Sequence, residues 1–265
     1  MFVIKNLSTS IDNQTLLQNI NLEAKSGELN IILGQNGAGK STLLKSIVKI
    51  LDCTGEIYLD GENISNLSVE TLSHKIAYMG QFNTGTSLSV IDILELSRRK
   101  YSGILLKQED YTIIDKHIVE FNLQKFLHRD IDTLSGGEKQ KIFLAATLIQ
   151  EPKVLLLDEP ISHLDPKNQI EILEIIKQKT KQNNLITFVV LHDLQNSLHY
   201  GDNIVMLKNK TIQEFQTSLS VDEKMINTLY GINCEIFWKD GHPFTFFKHI
   251  HQEYIEQIHS HKEQP

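Results

Sequence analysis

The stretch Gly34-Gln35-Asn36-Gly37-Ala38-Gly39-Lys40-Ser41 fits the pattern G-x-x-x-x-G-K-[ST]. The apolar run before it, ELNIIL, predicts a buried strand, and the spacing in STLLKSIVKIL after it predicts a helix. Glycines between a strand and a helix let successive backbone N–H groups curl around phosphate oxygens, and the helix N-terminus adds a favourable dipole. We therefore predict a phosphate-binding loop; a glycine-rich turn without a ligand is the weaker alternative, because both flanking elements are present.

Two side chains give this loop a more specific chemistry. Lys40 is placed to bridge the β- and γ-phosphates of a nucleotide, and Ser41 can ligate Mg²⁺. The predicted nucleotide-binding residues are Gly34, Gln35, Asn36, Gly37, Ala38, Gly39, Lys40, Ser41 and Thr42.

The run VLLLDEP places two carboxylates, Asp158 and Glu159, directly after a short apolar strand. Open parallel sheets bind their ligands at the carboxyl ends of the strands. We predict that Asp158 holds Mg²⁺, directly or through water, and that Glu159 polarises the attacking water. A pair of helix-capping acids is the alternative, and the phosphate loop in the same chain makes it the weaker one.

The stretch LSGGE, from Leu134 to Glu138, precedes an apolar helical pattern and contains a capping box, Ser135-x-x-Glu138. A cap needs only the serine and the glutamate. The two intervening glycines cost helix stability, about 1 kcal/mol each relative to alanine. Their presence therefore suggests that an anion approaches this backbone closely.

The chain predicts an α/β fold with a mostly parallel sheet, because apolar strands alternate with helices from residue 154 up to NIVMLKNKTIQEF. The opening residues predict an antiparallel β subdomain, and Asp60-Gly61 predicts a type I′ hairpin turn. Helical spacing at about residues 82–140 predicts an inserted helical lobe. We predict one domain over residues 1–215 and a C-terminal extension over residues 216–265, with small strands followed by a polar helix.

Composition narrows the range of partners. The 265 residues include 26 basic and 33 acidic side chains, a net charge of −7, which argues against a nucleic-acid partner. Two distant cysteines argue for a reducing compartment. No signal peptide is visible, and no apolar run approaches the roughly 20 residues that a bilayer span needs. We expect a cytoplasmic protein.

The order and spacing of GQNGAGKS, LSGGE and VLLLDEP resemble the nucleotide-binding subunits of ABC transporters, over nearly all of residues 1–215. The resemblance implies a P-loop NTPase that hydrolyses ATP with Mg²⁺. It also implies that LSGGE meets the γ-phosphate held by the phosphate loop of a second chain, so that two ATPase chains are required, most simply as a homodimer. The residues implied to contact nucleotide across that dimer are Ser135, Gly136, Gly137, Glu138 and Asp165. Asp165 before Pro166 also predicts an N-cap followed by a proline at the first helical position, and the two roles are compatible.

The same resemblance assigns roles to three further positions. Gln81, after KIAYMG, is implied to touch Mg²⁺ and water, and His192, after TFVVL, to contact the γ-phosphate. The implied catalytic residues are therefore Glu159, His192 and Gln81, and the implied metal ligands are Ser41, Gln81 and Asp158. The family usually carries an aromatic residue that stacks on adenine, and Ile11 stands at that position here, which predicts weaker base discrimination.

A finer resemblance concerns the stretch SHLDPKNQIEIL and the ending LYGINCEIF, which are similar to the ATPases of importers for iron–siderophore, haem and cobalamin. It implies integral-membrane permease partners, an indirect solute-binding protein, and a peripheral position on the inner face of the cell membrane. A soluble ABC ATPase of iron–sulfur cluster assembly and an exporter subunit remain alternatives. For the basic triplet Arg98-Arg99-Lys100, we expect a solvated face, with permease or lipid contact as the sharper alternative.

Overall fold

The computed structural model describes residues 1–12, 14–80, 87–103 and 105–247. The strands are β1 (Phe2–Ile11), β2 (Gln14–Ala24), β3 (Leu29–Leu33), β4 (Thr54–Leu59), β5 (Glu62–Asn63), β6 (Ile76–Met79), β7 (Val154–Asp158), β8 (Ile186–Val190), β9 (Asn203–Lys208), β10 (Thr211–Thr217), β11 (Cys234–Lys239) and β12 (His242–Phe247). The helices are α1 (Lys40–Ile47), α2 (Val69–Ser73), α3 (Val90–Leu96), α4 (Arg99–Ser102), α5 (Gln108–Glu120), α6 (Gly136–Leu148), α7 (Pro166–Gln182), α8 (Leu194–Tyr200) and α9 (Glu223–Tyr230).

The first two strands pair antiparallel and join the β4–β5 hairpin in a four-stranded sheet of order β2-β1-β4-β5. The hairpin turns at Asp60 and Gly61, whose φ angles are 53° and 84°. Positive φ at both central residues is what a type I′ turn requires, so this prediction is confirmed. The antiparallel β subdomain is confirmed with it.

The central sheet has six strands in the order β10-β9-β3-β8-β7-β6, and every neighbouring pair is parallel except β9–β10. Strands β3, β7 and β8 are buried along their whole length, as continuous apolar strands covered on both faces must be. The α/β fold with a mostly parallel sheet is confirmed. The stretch after α8 forms the β9–β10 hairpin, which turns at Asn209 and Lys210, both with positive φ.

Two apolar layers cover this sheet. On one side it packs against α1 and the antiparallel sheet, where the rings of Phe2 and Phe188 meet edge to face with centroids 5.7 Å apart. On the other side it packs against α6, α7, α8 and α9. The parallel strands therefore end at one common edge, which brings the residues after β3, β7 and β8 together.

The helices α3, α4, α5 and α6 fill the part of the chain between β6 and β7. Within them, the expectation of a solvated basic face is wrong for two of the three residues. Arg98 is buried and donates to Asp110 at 2.9 Å, and Lys100 bonds to the Ser73 carbonyl and to Gln150. Only Arg99 is exposed. Both groups therefore find hydrogen-bond partners elsewhere in the chain, a carboxylate for Arg98 and neutral oxygens for Lys100, which local sequence does not reveal.

Beyond β10, the helix α9 packs its Ile226 and Leu229 into the core, and β11 and β12 form a two-stranded hairpin. The small strands of the C-terminal segment are confirmed, α9 was not predicted, and the predicted final helix lies outside the described residues. The division at residue 215 stays a prediction, and β10 runs through that position. Among the described helices, none has the length and apolar character needed to span a membrane.

Candidate functional site

A cavity of about 590 Å³ opens at the carboxyl ends of the central strands. Its size falls within the range of small-ligand sites. It is lined by Gln14, Leu16, Asn36, Gly37, Gly39, Lys40, Ser41, Thr42, Glu159, His192 and Lys210. The phosphate loop, both predicted catalytic residues that the structure describes, and one residue of the turn between β9 and β10 therefore share one pocket.

The glycines of the phosphate loop are required by close approaches. A Cβ on Gly34 would lie 2.3 Å from the Leu207 carbonyl oxygen, so the loop could not cross β9 with any side chain there. Gly39 has φ 106° and would meet the Leu17 side chain at 2.7 Å. These contacts fix where the loop leaves β3 and enters α1, which keeps its backbone N–H groups at the mouth of the cavity.

Lys40 is buried at the base of the loop and donates to two main-chain oxygens, Gly34 O at 2.8 Å and Gln35 O at 3.1 Å. Burial lowers the pKa of Lys40, and the carboxylates of Glu159 and Asp158 act in the opposite direction. The phosphate loop therefore holds the Lys40 ammonium group inside the site. The same ammonium group is predicted to bind the phosphates of a nucleotide.

The two predicted metal ligands that the structure describes lie in direct contact. Ser41 Oγ donates to Asp158 Oδ1 at 2.8 Å, and the Tyr78 hydroxyl donates to Asp158 Oδ2 at 3.2 Å. Burial first, and then the Asp158 charge, raise the pKa of Tyr78, which stays a neutral donor. Mg²⁺ uses one or two protein oxygens together with substrate phosphates, and this oxygen pair beside the phosphate loop fits that pattern.

Glu159 faces a different partner. Its Oε1 lies 2.5 Å from His192 Nε2, and its Oε2 accepts from Ser162 Oγ at 2.9 Å. Burial raises the pKa of Glu159, but the two hydrogen bonds, together with electrostatic attraction to His192 and Lys40, leave that pKa below its usual value. Its φ of 54° is uncommon for a residue with a Cβ, and such conformations cluster at functional sites. The carboxylate is thus ionised and orientated by two donors.

The LSGGE stretch begins α6 with the expected capping box. Ser135 Oγ accepts from the Glu138 N–H at 3.4 Å, and Glu138 Oε2 accepts from the Ser135 N–H at 2.9 Å. The first glycine has room, since a Cβ on Gly136 would meet Leu164 at 3.6 Å, whereas one on Gly137 would lie 2.8 Å from Asn168. Packing within the chain therefore explains the second glycine and leaves the first unexplained.

Neither LSGGE nor Asp165 lines the cavity at the phosphate loop. Asp165 is the N-cap of α7, where its carboxylate accepts from the Asn168 N–H at 3.0 Å, and Pro166 follows at the first helical position. Asn168 also donates to Asp165 Oδ2 and lies against Gly137. The two stretches predicted to reach a second chain are thus joined to each other within one chain.

Other predicted residues have mixed positions. Gln81 lies outside the described residues. Ile11 pairs with Gln14 at the end of the β1–β2 hairpin and is 45% exposed. Gln14 lines the cavity and Ile11 does not. Gly34, Gln35 and Ala38 belong to the loop without lining the cavity. The role given to each site residue stays a prediction.

Sequence reasoning missed Gln14, Leu16, Tyr78 and Lys210. The first two and Lys210 belong to two hairpins that meet where the Gln18 N–H donates to the Lys210 carbonyl at 2.9 Å. No motif marks these residues, because their place in the site depends on how the antiparallel sheet docks on the central one. Tyr78 stands three residues before Gln81, and its position at the end of β6 was the available signal.

Comparisons with known proteins agree with this geometry. Residues 17–162 match the family described as ABC transporter. An uncharacterized ABC transporter ATP-binding protein of Methanocaldococcus jannaschii is 40% identical, over 84% of this chain and 89% of its own length. The petrobactin import ATP-binding protein FpuD of Bacillus anthracis is 32% identical, over 88% of this chain and 87% of its own length.

Among solved structures, an ATP-binding cassette captured as a dimer in a post-hydrolysis state with ADP and Pi superimposes with a TM-score of 0.72. It is 28% identical, and the match covers 82% of this chain and 99% of that one. The present chain belongs to the ABC transporter family, as an ATP-binding subunit. It is an ATPase, and the predicted resemblance to the siderophore-importer group is confirmed by relatives of that kind.

Proposed function

We propose that this chain powers a membrane importer for an iron–siderophore complex or a related metal chelate. The observation that carries the solute class is the similarity, across most of the chain, to ATP-binding proteins named for petrobactin and achromobactin transport. The stretch SHLDPKNQIEIL and the C-terminal ending point to the same group. The ATPase site supplies the free energy, and the solute itself never enters this chain.

The proposed reaction is in-line attack of water on the γ-phosphate of ATP. The phosphate loop holds the phosphates, Lys40 turns from the Gly34 and Gln35 carbonyls towards them, and His192 contacts the γ-phosphate. Glu159, ionised and orientated as described, accepts the hydrogen bond that aligns the water. The contact between His192 and Glu159 must therefore loosen when ATP enters.

Ser41 and Asp158 are the residues that would hold Mg²⁺, with Gln81 as a third proposed ligand. Their oxygens are the type that Mg²⁺ prefers. When bound, the ion neutralises charge on the β- and γ-phosphates. Tyr78 keeps one oxygen of Asp158 engaged, which orientates the carboxylate towards Ser41.

Two chains form the working unit in this proposal. The LSGGE stretch does not line the cavity of its own chain, so a second copy has to present Ser135 and the Gly136 backbone to the γ-phosphate. Asp165, joined to that stretch through Asn168, lies at the same face. A related cassette that forms a dimer supports this arrangement. Complete sites then exist only when ATP joins the two chains.

The remaining partners follow from the transport role. Integral-membrane permease subunits would dock on the helices between β6 and β7, and would hold this chain at the cytoplasmic face of the membrane. A solute-binding protein would deliver the chelate on the opposite side. No nucleic acid is expected, given the net charge of −7.

Uptake of a radiolabelled ferric siderophore tests the proposal in cells that lack this gene. We expect uptake to be lost, restored by the wild-type chain, and not restored by E159Q, while uptake of an unrelated solute stays unchanged. Co-purification with a polytopic membrane protein is expected as well. Normal chelate uptake without the chain would contradict the proposed solute class. A stable complex with a soluble scaffold would favour a role in iron–sulfur cluster assembly.

A further inference from the structure

The turn between β9 and β10 brings a lysine to the cavity that contains the phosphate loop. Lys210 is the second central residue of this two-residue turn, and it lines the cavity together with Gln14 and Leu16. The turn is fixed against β2, because the Gln18 N–H donates to the Lys210 carbonyl at 2.9 Å. Among the described residues, the Lys210 ammonium group has neither a hydrogen bond nor an ion pair, so it is available to a ligand.

The backbone at Lys210 has a conformation that glycine adopts more readily. Asn209 and Lys210 have φ angles of 50° and 69°, as the two central residues of a type I′ turn must. The two-residue hairpin turns at Asp60-Gly61 and Asp240-Gly241 also have positive φ at both residues, and both place glycine second. A residue with a Cβ is strained there, and such residues cluster at functional sites. The turn itself therefore does not explain the lysine.

The strand order places Lys210 at the opposite end of the cavity from the predicted catalytic residues. Along the carboxyl edge of the central sheet, the strands β9, β3, β8 and β7 are successive neighbours. The turn with Lys210 follows β9, the phosphate loop follows β3, and His192 and Glu159 follow β8 and β7. A nucleotide whose γ-phosphate meets His192 and whose other phosphates lie on the loop therefore has its nucleoside part on the β9 side.

The residues on that side can bind a nucleoside without an aromatic side chain. Ile11 does not line the cavity, whereas Leu16 offers an apolar surface and Gln14 a side-chain amide. Lys210 adds an ammonium group, which donates hydrogen bonds and accepts none. The ring nitrogens of adenine and the oxygens of ribose are acceptors, so they match this donor.

We propose that Lys210 binds the nucleoside part of the nucleotide, by donating from its ammonium group to acceptor atoms of adenosine. Strain in the β9–β10 turn is retained because the lysine reaches the ligand from that position. This inference rests on the proposed function, since it requires a nucleotide on the phosphate loop. It deepens that function by assigning a residue to the end of the site where Ile11 supplies no stacking surface.

The test compares K210G with the wild-type chain by calorimetric titration with ADP and Mg²⁺ at 0.15 M salt. Inorganic pyrophosphate, measured in competition with ADP, reports on the phosphate loop alone, and thermal unfolding without ligand is measured in parallel. We expect the Tm of K210G to equal or exceed that of the wild-type chain, because glycine relieves the backbone strain. We expect the Kd for ADP to rise about threefold to tenfold, the factor that one ordinary hydrogen bond corresponds to.

The Kd for pyrophosphate should stay at the wild-type value, because this ligand has no nucleoside part and salt screens exposed charges beyond about 8 Å. N209G is the matched control: it changes the first central residue of the same turn, which is exposed and does not line the cavity. It should leave both Kd values unchanged.

An unchanged Kd for ADP in K210G would overturn the inference while leaving the proposed function intact. Equal weakening of ADP and pyrophosphate would also overturn it, because Lys210 would then act on the phosphates. So would a lower Tm in K210G, since the fold of the turn would then explain the lysine. Failure of the wild-type chain to bind ADP would overturn both the inference and the proposed function.

Discussion

Glu159 is held by hydrogen bonds from His192 and Ser162, with a backbone φ of 54°. The position after β7 was predictable from VLLLDEP, because an acidic pair after an apolar strand marks a ligand edge. The partnership with His192 was not predictable from spacing, since the two residues lie 33 positions apart and meet only because β7 and β8 are neighbours in the sheet. The family resemblance predicted a role for His192, and the pairing of β7 with β8 brings it into contact with Glu159.

E159Q should keep nucleotide binding and lose at least about a hundredfold of ATP turnover, because an amide matches the carboxylate in shape but cannot serve as a general base. Phosphate release at saturating ATP measures the loss, and titration with nucleotide measures the retained affinity. E56Q, which alters an exposed carboxylate on β4, should hydrolyse ATP at the wild-type rate. Turnover near the wild-type rate in E159Q would reject the role of Glu159.

At the scale of elements, the start of α6 was predictable from sequence, and its role towards a nucleotide stays a prediction. The capping box at Ser135 and Glu138 is formed as the S-x-x-E pattern indicates. The two glycines look alike in sequence, but only Gly137 is crowded by a neighbour, Asn168. Helix α9 was missed because its short apolar spacing adjoins a strand-like run. Its contact with the phosphate loop, through Gln35 and the Tyr230 carbonyl, depends on tertiary packing.

G136A should separate the role of LSGGE towards ATP from its role in folding. A Cβ at Gly136 meets only Leu164 at 3.6 Å, so we expect an unchanged or slightly raised Tm, since alanine favours a helix over glycine by up to about 1 kcal/mol. ATPase activity should fall at least about tenfold, because the methyl group obstructs the γ-phosphate of the second chain. G137A is the contrast and should lose stability as well, because its Cβ meets Asn168. Full activity in G136A would show that no anion approaches there.

The ion pair of Arg98 with Asp110 ties the residue that precedes α4 to the first turn of α5. D110N should lower the free energy of unfolding by about 2 to 4 kcal/mol, because it leaves a buried guanidinium with a weaker partner. Chemical denaturation at pH 7 measures this, and D115N, which changes an exposed carboxylate on α5, should leave stability unchanged.

The same pair predicts a pH dependence. The Ser102 hydroxyl, the Lys107 N–H and Arg98 hold the pKa of Asp110 at about 2. Because the unfolded carboxyl has a pKa of about 3.9, this stabilisation is complete above about pH 4 and is lost as the pH falls towards 2. The difference in stability between the wild-type chain and D110N should shrink over that interval. A constant difference would show that the charge of Asp110 is not what stabilises the helices.

At the scale of the whole molecule, the proposed function gives each chain two incomplete halves of a reaction site. Among the described residues, the cavity with Lys40 and Glu159 is not lined by any residue of LSGGE. The pocket that Gly137 and Glu138 line contains no residue of the phosphate loop. The sequence predicted both halves and, through the resemblance, their union between chains. The structure of one chain locates both sets of residues, whereas the proposed contact between them requires a second chain.

The most direct test of that union is the mass of E159Q in solution with and without ATP, measured by light scattering on a size-exclusion column. We expect a monomer of 30.3 kDa without nucleotide and with ADP, and a species of about twice that mass with ATP, which the double variant K40A/E159Q fails to form. A single 30.3 kDa species at saturating ATP, together with undiminished hydrolysis by the wild-type monomer, would contradict it.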